Sequence, residues 1–322
     1  MKKIIALLLA LVMMIGLFAA CTKQNNSEKK DKLSIVTTIF PEYDWVKQIL
    51  GDKADTAEIT MLLDNGVDLH SYQPTADDIV KISDCDMFIY VGGESDEWVD
   101  DALKNATNKD MKVINLLDVL GNSVKTEETV EGMQEEEEES EEGPEYDEHV
   151  WLSLKNAKVL VEAISKSLQE LAPDNKDSYS ANSDAYVKKL SALDDKYKAA
   201  VDGAKYKTVL FGDRFPFRYL VDDYGLSYYA AFAGCSAESE ASFETISFLA
   251  KKVDELKLPC VLTIEGTQHK IAETIIQNTS SKNQKILTMD SMQSTTSKDV
   301  ENGTTYLSVM EKNLSVLKEA LG

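Results

Sequence analysis

LSIVTTIFPEYDWVKQILGDKADTAEITML, residues 33–62, is the stretch that decides the fold. A short β-branched run leads into the amphipathic segment DWVKQILG, and a second short run, AEITML, follows. Strand, helix and strand in that order is the βαβ unit, whose strands lie parallel because the helix carries the chain back across the sheet. The alternation continues through PTADDIVKI (74–82), MFIYVG (87–92) and KVINL (112–116). It stops at an acidic tract over 127–148 and resumes with KTVLFG (207–212), PCVLTIE (259–265) and KILTMD (285–290). Two α/β halves are expected, an N-terminal lobe over 33–172 and a C-terminal lobe over 206–322.

Between the halves, apolar residues at three- and four-residue spacings (Tyr179, Tyr186, Leu190, Leu193, Tyr197, Ala200) run without an interior proline. That pattern predicts a long helix linking the lobes within 173–205, after a shorter one over NAKVLVEAISKSLQEL. A helical link is stiffer than a loop, so large closure of the lobes is not expected. Open parallel sheets present their ligand loops at the carboxyl ends of their strands, which puts the candidate site in the cleft between lobes.

The N-terminus reads as an export signal: two lysines, then the apolar run IIALLLALVMMIGLFAAC. Its end, Phe18-Ala19-Ala20-Cys21, resembles a bacterial lipobox, so residues 1–20 are read as a lipoprotein signal peptide and Cys21 as the lipid-attachment site. The polar TKQNNSEKKDK cannot bury a core, and residues 21–32 are read as a flexible tether. An extracytoplasmic protein anchored to the cell membrane follows. The net charge of −22 argues against nucleic acid or an anionic bilayer as partner and suits cations. Three further cysteines, Cys85, Cys235 and Cys260, are too scattered for a structural zinc motif and leave open one disulfide.

Several ionisable residues fall at strand ends. Asp213 follows KTVLFG, Glu265 follows PCVLTI, Asp290 follows KILTM, and His70 lies in the loop DNGVDLHSYQPTADDI. His149 stands directly after the acidic tract. Imidazoles and carboxylates converging without an obvious nucleophile describe a site that holds Zn2+ or Mn2+. Each residue also has a plainer reading. His70 alone reads equally as a surface histidine beside a helix start capped by Thr75, and Asp213 and Asp290 as turn residues. Glu265 with Gly266 suits a turn, and His269 in GTQHKIAETI a solvated or capping position.

The segments TTIFPEYDWVKQILGD, DLHSYQPTADD, DEHVWLSLKNA, KTVLFGDRFPFRYLVDDYGL, ILTMDSM and YLSVMEKNL together resemble the solute-binding lipoproteins of zinc and manganese ABC transporters, the cluster A-I or ZnuA-like family. The resemblance covers nearly all of 33–322. It implies two Rossmann-like lobes with parallel four-stranded sheets joined by a long rigid helix, with the metal in the cleft. It also implies capture of Zn2+, with Mn2+ a close second, and delivery to a membrane permease by a monomer without enzymatic activity. His70 and His149 then match the family's two histidine ligands and Asp290 its carboxylate after the last strand.

At the remaining position the family carries a histidine or glutamate five residues before the tyrosine matching Tyr219. Here that residue is Arg214, which stays protonated and cannot ligate. Asp213 is the expected replacement, with Glu265, Cys235, Glu240 or water as alternatives. The acidic loop over 127–148 corresponds to the charged insertion of zinc members and is read as a weak collector of cations. Two other functions stay open from the sequence. One is a zinc-dependent metallohydrolase with Glu265 as base, and the other a surface adhesin of the same fold.

Overall fold

The expected βαβ unit forms where the sequence puts it. In the computed structural model, which describes residues 32–134, 145–236, 240–266 and 269–322, strand β1 (Leu33–Thr37) runs into helix α1 (Phe40–Leu50) and returns as β2 (Ala57–Met61). Pro41 lies in the first turn of α1, where its missing N–H costs nothing, and Glu42 reaches back to the amides of Thr38 and Ile39. Helix α2 (Ala76–Asp84) starts at Thr75, whose hydroxyl caps Asp78 N while Asp78 closes the box on Thr75 N. Strand β3 (Met87–Tyr90), α3 (Trp98–Lys104), β4 (Lys112–Asn115) and α4 (Leu116–Leu120) complete the first sheet.

Its strands are all parallel in the order β2-β1-β3-β4. Two helices follow, α5 (Leu154–Leu171) and the 27-residue α6 (Lys176–Asp202). At 1.5 Å per residue α6 extends about 40 Å, enough to pass both sheets. Its buried face, Tyr179, Tyr186, Leu190, Leu193 and Tyr197, is the apolar stripe of the sequence.

The second sheet repeats the first. Strand β5 (Thr208–Arg214), α7 (Arg218–Tyr224), β6 (Ser227–Phe232), α8 (Phe243–Leu256), β7 (Cys260–Thr263), α9 (Lys270–Asn278) and β8 (Lys285–Thr288) give the all-parallel order β6-β5-β7-β8. The central strands β3 and β7 are buried throughout and read as unbroken apolar runs, as strands covered on both faces must. A bulge between Phe211 and Arg214 interrupts β5. At its centre Gly212 lies so close to α9 that a Cβ would meet Ala272 Cα at 2.7 Å. Helices α10 (Ser297–Glu301) and α11 (Tyr306–Leu321) end the chain.

The C-terminal helix ties the halves together, and residues 33–322 form one compact unit. Tyr306 donates from its backbone N–H to Asp44 on α1 at 3.2 Å and from its hydroxyl to the Trp151 carbonyl at 2.6 Å. Trp151 Nε1 in turn donates to the Ser291 carbonyl at 2.8 Å, and Trp45 packs edge-on against Tyr306.

The signal peptide, Cys21 and nearly all of the tether lie outside the described residues, as do 135–144 of the acidic loop. At the base of that loop Thr126 and Tyr146 form an antiparallel bridge. Among the described residues no helix is long and apolar enough to cross a membrane, and none of the described cysteines forms a disulfide.

Candidate metal centre

His70 and His149 face each other. His70 sits in a single helical turn after β2, fixed by Asp68, whose Oδ1 accepts the His70 N–H at 3.0 Å. His149 precedes another such turn, and Asp147 Oδ1 accepts both its backbone N–H at 2.9 Å and its Nδ1–H at 3.0 Å. On His70 the Nδ1 atom is engaged by Ser95 Oγ at 2.8 Å, with Glu148 Oε2 at 3.4 Å. With both Nδ1 atoms occupied, the Nε2 atoms point at one another across 3.2 Å. Holding a ring by its other nitrogen is how proteins fix the tautomer of a metal-binding histidine.

The two rings differ electrostatically. Burial, the His149 charge and Arg214 hold the His70 imidazole down at about 3. Burial also opposes protonation of His149, which is fully enclosed, but the hydrogen bond and charge of Asp147, with the charge of Glu148, outweigh it and raise its pKa.

Cys235, in the loop after β6, completes a cluster with the two histidines: its Sγ and their ring nitrogens lie within 4.8 Å of one another. Glu127 Oε1 accepts the Cys235 N–H at 2.8 Å. Burial, with the charges of Glu127, Asp147 and Glu148, pushes the thiol well above its usual range. His70 and Cys235 open onto a cavity of about 210 Å3 also lined by Glu94, Ser95, Glu127, Glu145, Tyr146 and Glu148. Four glutamates around one small cavity make it a place for a cation.

Among the described residues, the expected carboxylates do not join this cluster. Asp213 lies in the bulge of β5 and accepts from the N–H groups of Arg214 at 2.9 Å and Ile264 at 3.3 Å; burial raises its pKa against both bonds. Asp290 caps the turn at Met292 N, and burial and the charge of Glu265 push it up to about 6. Glu265 is taken up by the same turn, accepting from Ser291 N and Oγ, both at 2.6 Å, and from Gln293 N at 3.2 Å. His269 stands at the N-cap of α9 without a capping side-chain bond, and Glu240 is exposed.

Arg214 makes an ion pair with Asp68 at 2.6 Å and reaches the Ser236 carbonyl at 3.4 Å. It thus joins the loop of His70 to the loop of Cys235. Sequence reasoning passed over Asp147, Glu148 and Ser95. The signal for the first two was the acidic pair directly before a candidate ligand in DEHV, and Ser95 carried none.

The chain matches the family model described as zinc-uptake complex component A, periplasmic (ZnuA), over residues 35–320. It is 34% identical to the zinc-binding lipoprotein AdcA of Streptococcus pneumoniae over 99% of its own length and 61% of that protein. It is 32% identical to the high-affinity zinc uptake system protein ZnuA of Bacillus subtilis, covering 95% of this chain and 94% of that one. The chain thus spans about three fifths of the first relative and nearly all of the second. Among solved structures, the Zn(II)-bound ZnuA-like domain of Streptococcus pneumoniae AdcA superposes with a TM-score of 0.70 at 32% identity, covering 90% of this chain and 99% of that one. The metal-dependent lipoprotein YcdH of Bacillus subtilis gives 0.73 at 28% identity, with coverage of 90% and 99%.

Proposed function

This chain belongs to the ZnuA family of zinc-uptake components, and on that premise we propose that it captures Zn2+ outside the cytoplasmic membrane and hands it to a permease. One observation carries the reading: two imidazole Nε2 atoms, each held by its Nδ1, face each other at 3.2 Å. Two nitrogens bound to one tetrahedral zinc at about 2.0–2.1 Å stand about 3.3 Å apart, so the observed spacing fits a single shared ion. Without a cation the two lone pairs oppose each other unless a proton lies between them.

Zinc is favoured over manganese because imidazole nitrogen places zinc well above manganese in the affinity order. The glutamate-lined cavity beside His70 serves as the approach, and the acidic tract as a weak collector of cations. Anchoring through Cys21 keeps the protein beside its permease, and a monomer suffices for this role. The ion is cargo and no bond of a substrate is broken. Glu265, the residue a hydrolase would need as base, is committed to Ser291 and Gln293 rather than to the histidine pair. The sheet strands and α6 form a frame, and recognition comes from loops at strand ends.

The test is zinc content by elemental mass spectrometry and zinc affinity by competition with a chromogenic chelator. The protein should bind one zinc, with manganese displaced by equimolar zinc. His70→Ala and His149→Ala should each weaken zinc at least 100-fold, an effect of about 3 kcal/mol for a lost ligand. Zinc binding that survives both substitutions together would sink the reading.

A further inference from the structure

Resting on that capture reading, we propose that Cys235 is the third protein ligand, a thiolate, and that Arg214 is a positioning residue clamping the ligand loops. The geometry begins with the cluster. Sγ of Cys235 and the ring nitrogens of His70 and His149 lie within 4.8 Å of one another, and among the described residues no carboxylate belongs to the same group. In a closed zinc set with bonds of about 2.0 and 2.3 Å, nitrogen and sulfur are about 3.6 Å apart, so the Cys235 loop closes by at most about 1.2 Å.

The loop is built against the histidine. A Cβ at Gly234 would meet the Phe215 carbonyl at 2.9 Å and His149 Cε1 at 3.1 Å, so only glycine lets the backbone before Cys235 lie on that ring. Glu127 holds the Cys235 N–H at 2.8 Å. Arg214 supplies the other tie. One guanidinium nitrogen bonds Asp68 at 2.6 Å, and Asp68 is the acceptor that fixes His70. Another reaches the carbonyl of Ser236, next to the cysteine. A guanidinium cannot ligate a cation, but its fixed fork can bridge two loops. The side chain that does not bind thus places two that do.

On loading, the sulfur's electron pair goes to the ion and the thiol proton to the buffer, so one proton leaves per thiolate bond. Thiolate is a soft donor that suits Zn2+ and Cd2+ and disfavours Mn2+. The site then rejects manganese through ligand chemistry as well as affinity order.

Cobalt(II) reports the ligand directly, because a thiolate bound to it gives a sulfur-to-metal charge-transfer band in the near ultraviolet. The full protein is loaded with Co2+ and then titrated with Zn2+, alongside Cys235→Ser, Cys235→Ala, Cys85→Ser, Cys260→Ser and Arg214→Ala. Unfolding midpoints of the apo proteins identify any variant that fails to fold. The band is expected in the wild type, in the Cys85 and Cys260 variants and, more weakly, in Arg214→Ala; both Cys235 variants lose it. Cys235→Ala should weaken zinc 10- to 100-fold while its affinity for Mn2+ holds or rises. A wild-type cobalt complex without the band, together with undiminished zinc binding in folded Cys235→Ala, overturns the thiolate and leaves zinc capture standing. A wild type that binds neither metal overturns both.

Discussion

At the residue scale the decisive contact is Asp147 on His149. One carboxylate oxygen accepts two N–H groups of the same residue, which fixes the ring and raises its pKa against burial. Because metal needs the neutral ring, a raised pKa means that protons begin to compete at a pH above the ordinary value of about 6.5. Zinc affinity should therefore fall as pH drops through neutrality. Asp147→Asn keeps the size of the side chain and removes its charge. It should weaken zinc 10- to 100-fold at pH 7.5, the usual cost of losing such a partner, and move the onset of acid-induced weakening to lower pH. Zinc titrations between pH 5.5 and 8 check both effects, and an onset that does not move would contradict the role assigned to Asp147. The histidine pair was singled out from sequence on its specific flanking segments, and the structure sets the two rings face to face. The sequence favoured Asp213 over Glu265 and Cys235, because Asp213 stands one residue from the family's ligand position. What separates them is side-chain direction: a bulge turns Asp213 into backbone amides, and the Ser291 turn absorbs Glu265.

At the element scale, seven of the eight strands and the long helix were readable from their apolar runs and regular stripe, whereas β6 (Ser227–Phe232) was not among the runs recognised. The bulge in β5 was not readable either, and within it Gly212 approaches α9 closely, a contact between segments distant in sequence. The pinning of α11 was equally hidden. Tyr306 reads as one more apolar position of a terminal helix, yet its hydroxyl donates to the Trp151 carbonyl, two residues after His149. Removing that donor leaves a buried carbonyl unsatisfied, at a cost of about 1–3 kcal/mol. Tyr306→Phe should therefore lower the urea midpoint without changing the slope of the transition. Tyr306 also contacts α1 through Asp44, so the two halves should still unfold together in one transition. Two resolved transitions in the variant, with one persisting near the wild-type midpoint, would show that α11 does not couple the lobes.

At the scale of the whole molecule, four glutamates crowd the cavity beside His70. Beneath the cavity, burial and the neighbouring Glu148 push Asp96 up to about 7, and burial with Asp96 raises Glu42 well above its usual range. In the unfolded chain these carboxyls ionise near pH 4, whereas in the folded protein Asp96 keeps its proton until about 7. Between those values the unfolded state sheds protons that the native state retains, so stability falls as pH rises through the window. His149 acts in the same sense: the stability from its raised pKa is present below about 6.5 and lost as pH rises through the folded value. Asp68 and Asp78, whose pKa values are lowered, lose their contributions only below about 4, outside the window. The metal-free protein should therefore melt higher at pH 5.5 than at pH 7.5. A difference of roughly 5 °C is expected, at about 2–4 °C per kcal/mol for a large domain. Saturating zinc should reverse the order, since stabilisation by a ligand grows with its affinity and that affinity is greater where His149 is neutral. Scanning calorimetry at both pH values, with chelator and with zinc, tests the pair of slopes. Equal or higher melting of the apo protein at pH 7.5 would mean that the buried carboxyls are relieved by something other than protons. Opposite slopes would mean that proton and zinc are alternative answers to one electrostatic demand, so that mild acid both loosens the ion and steadies the frame that released it.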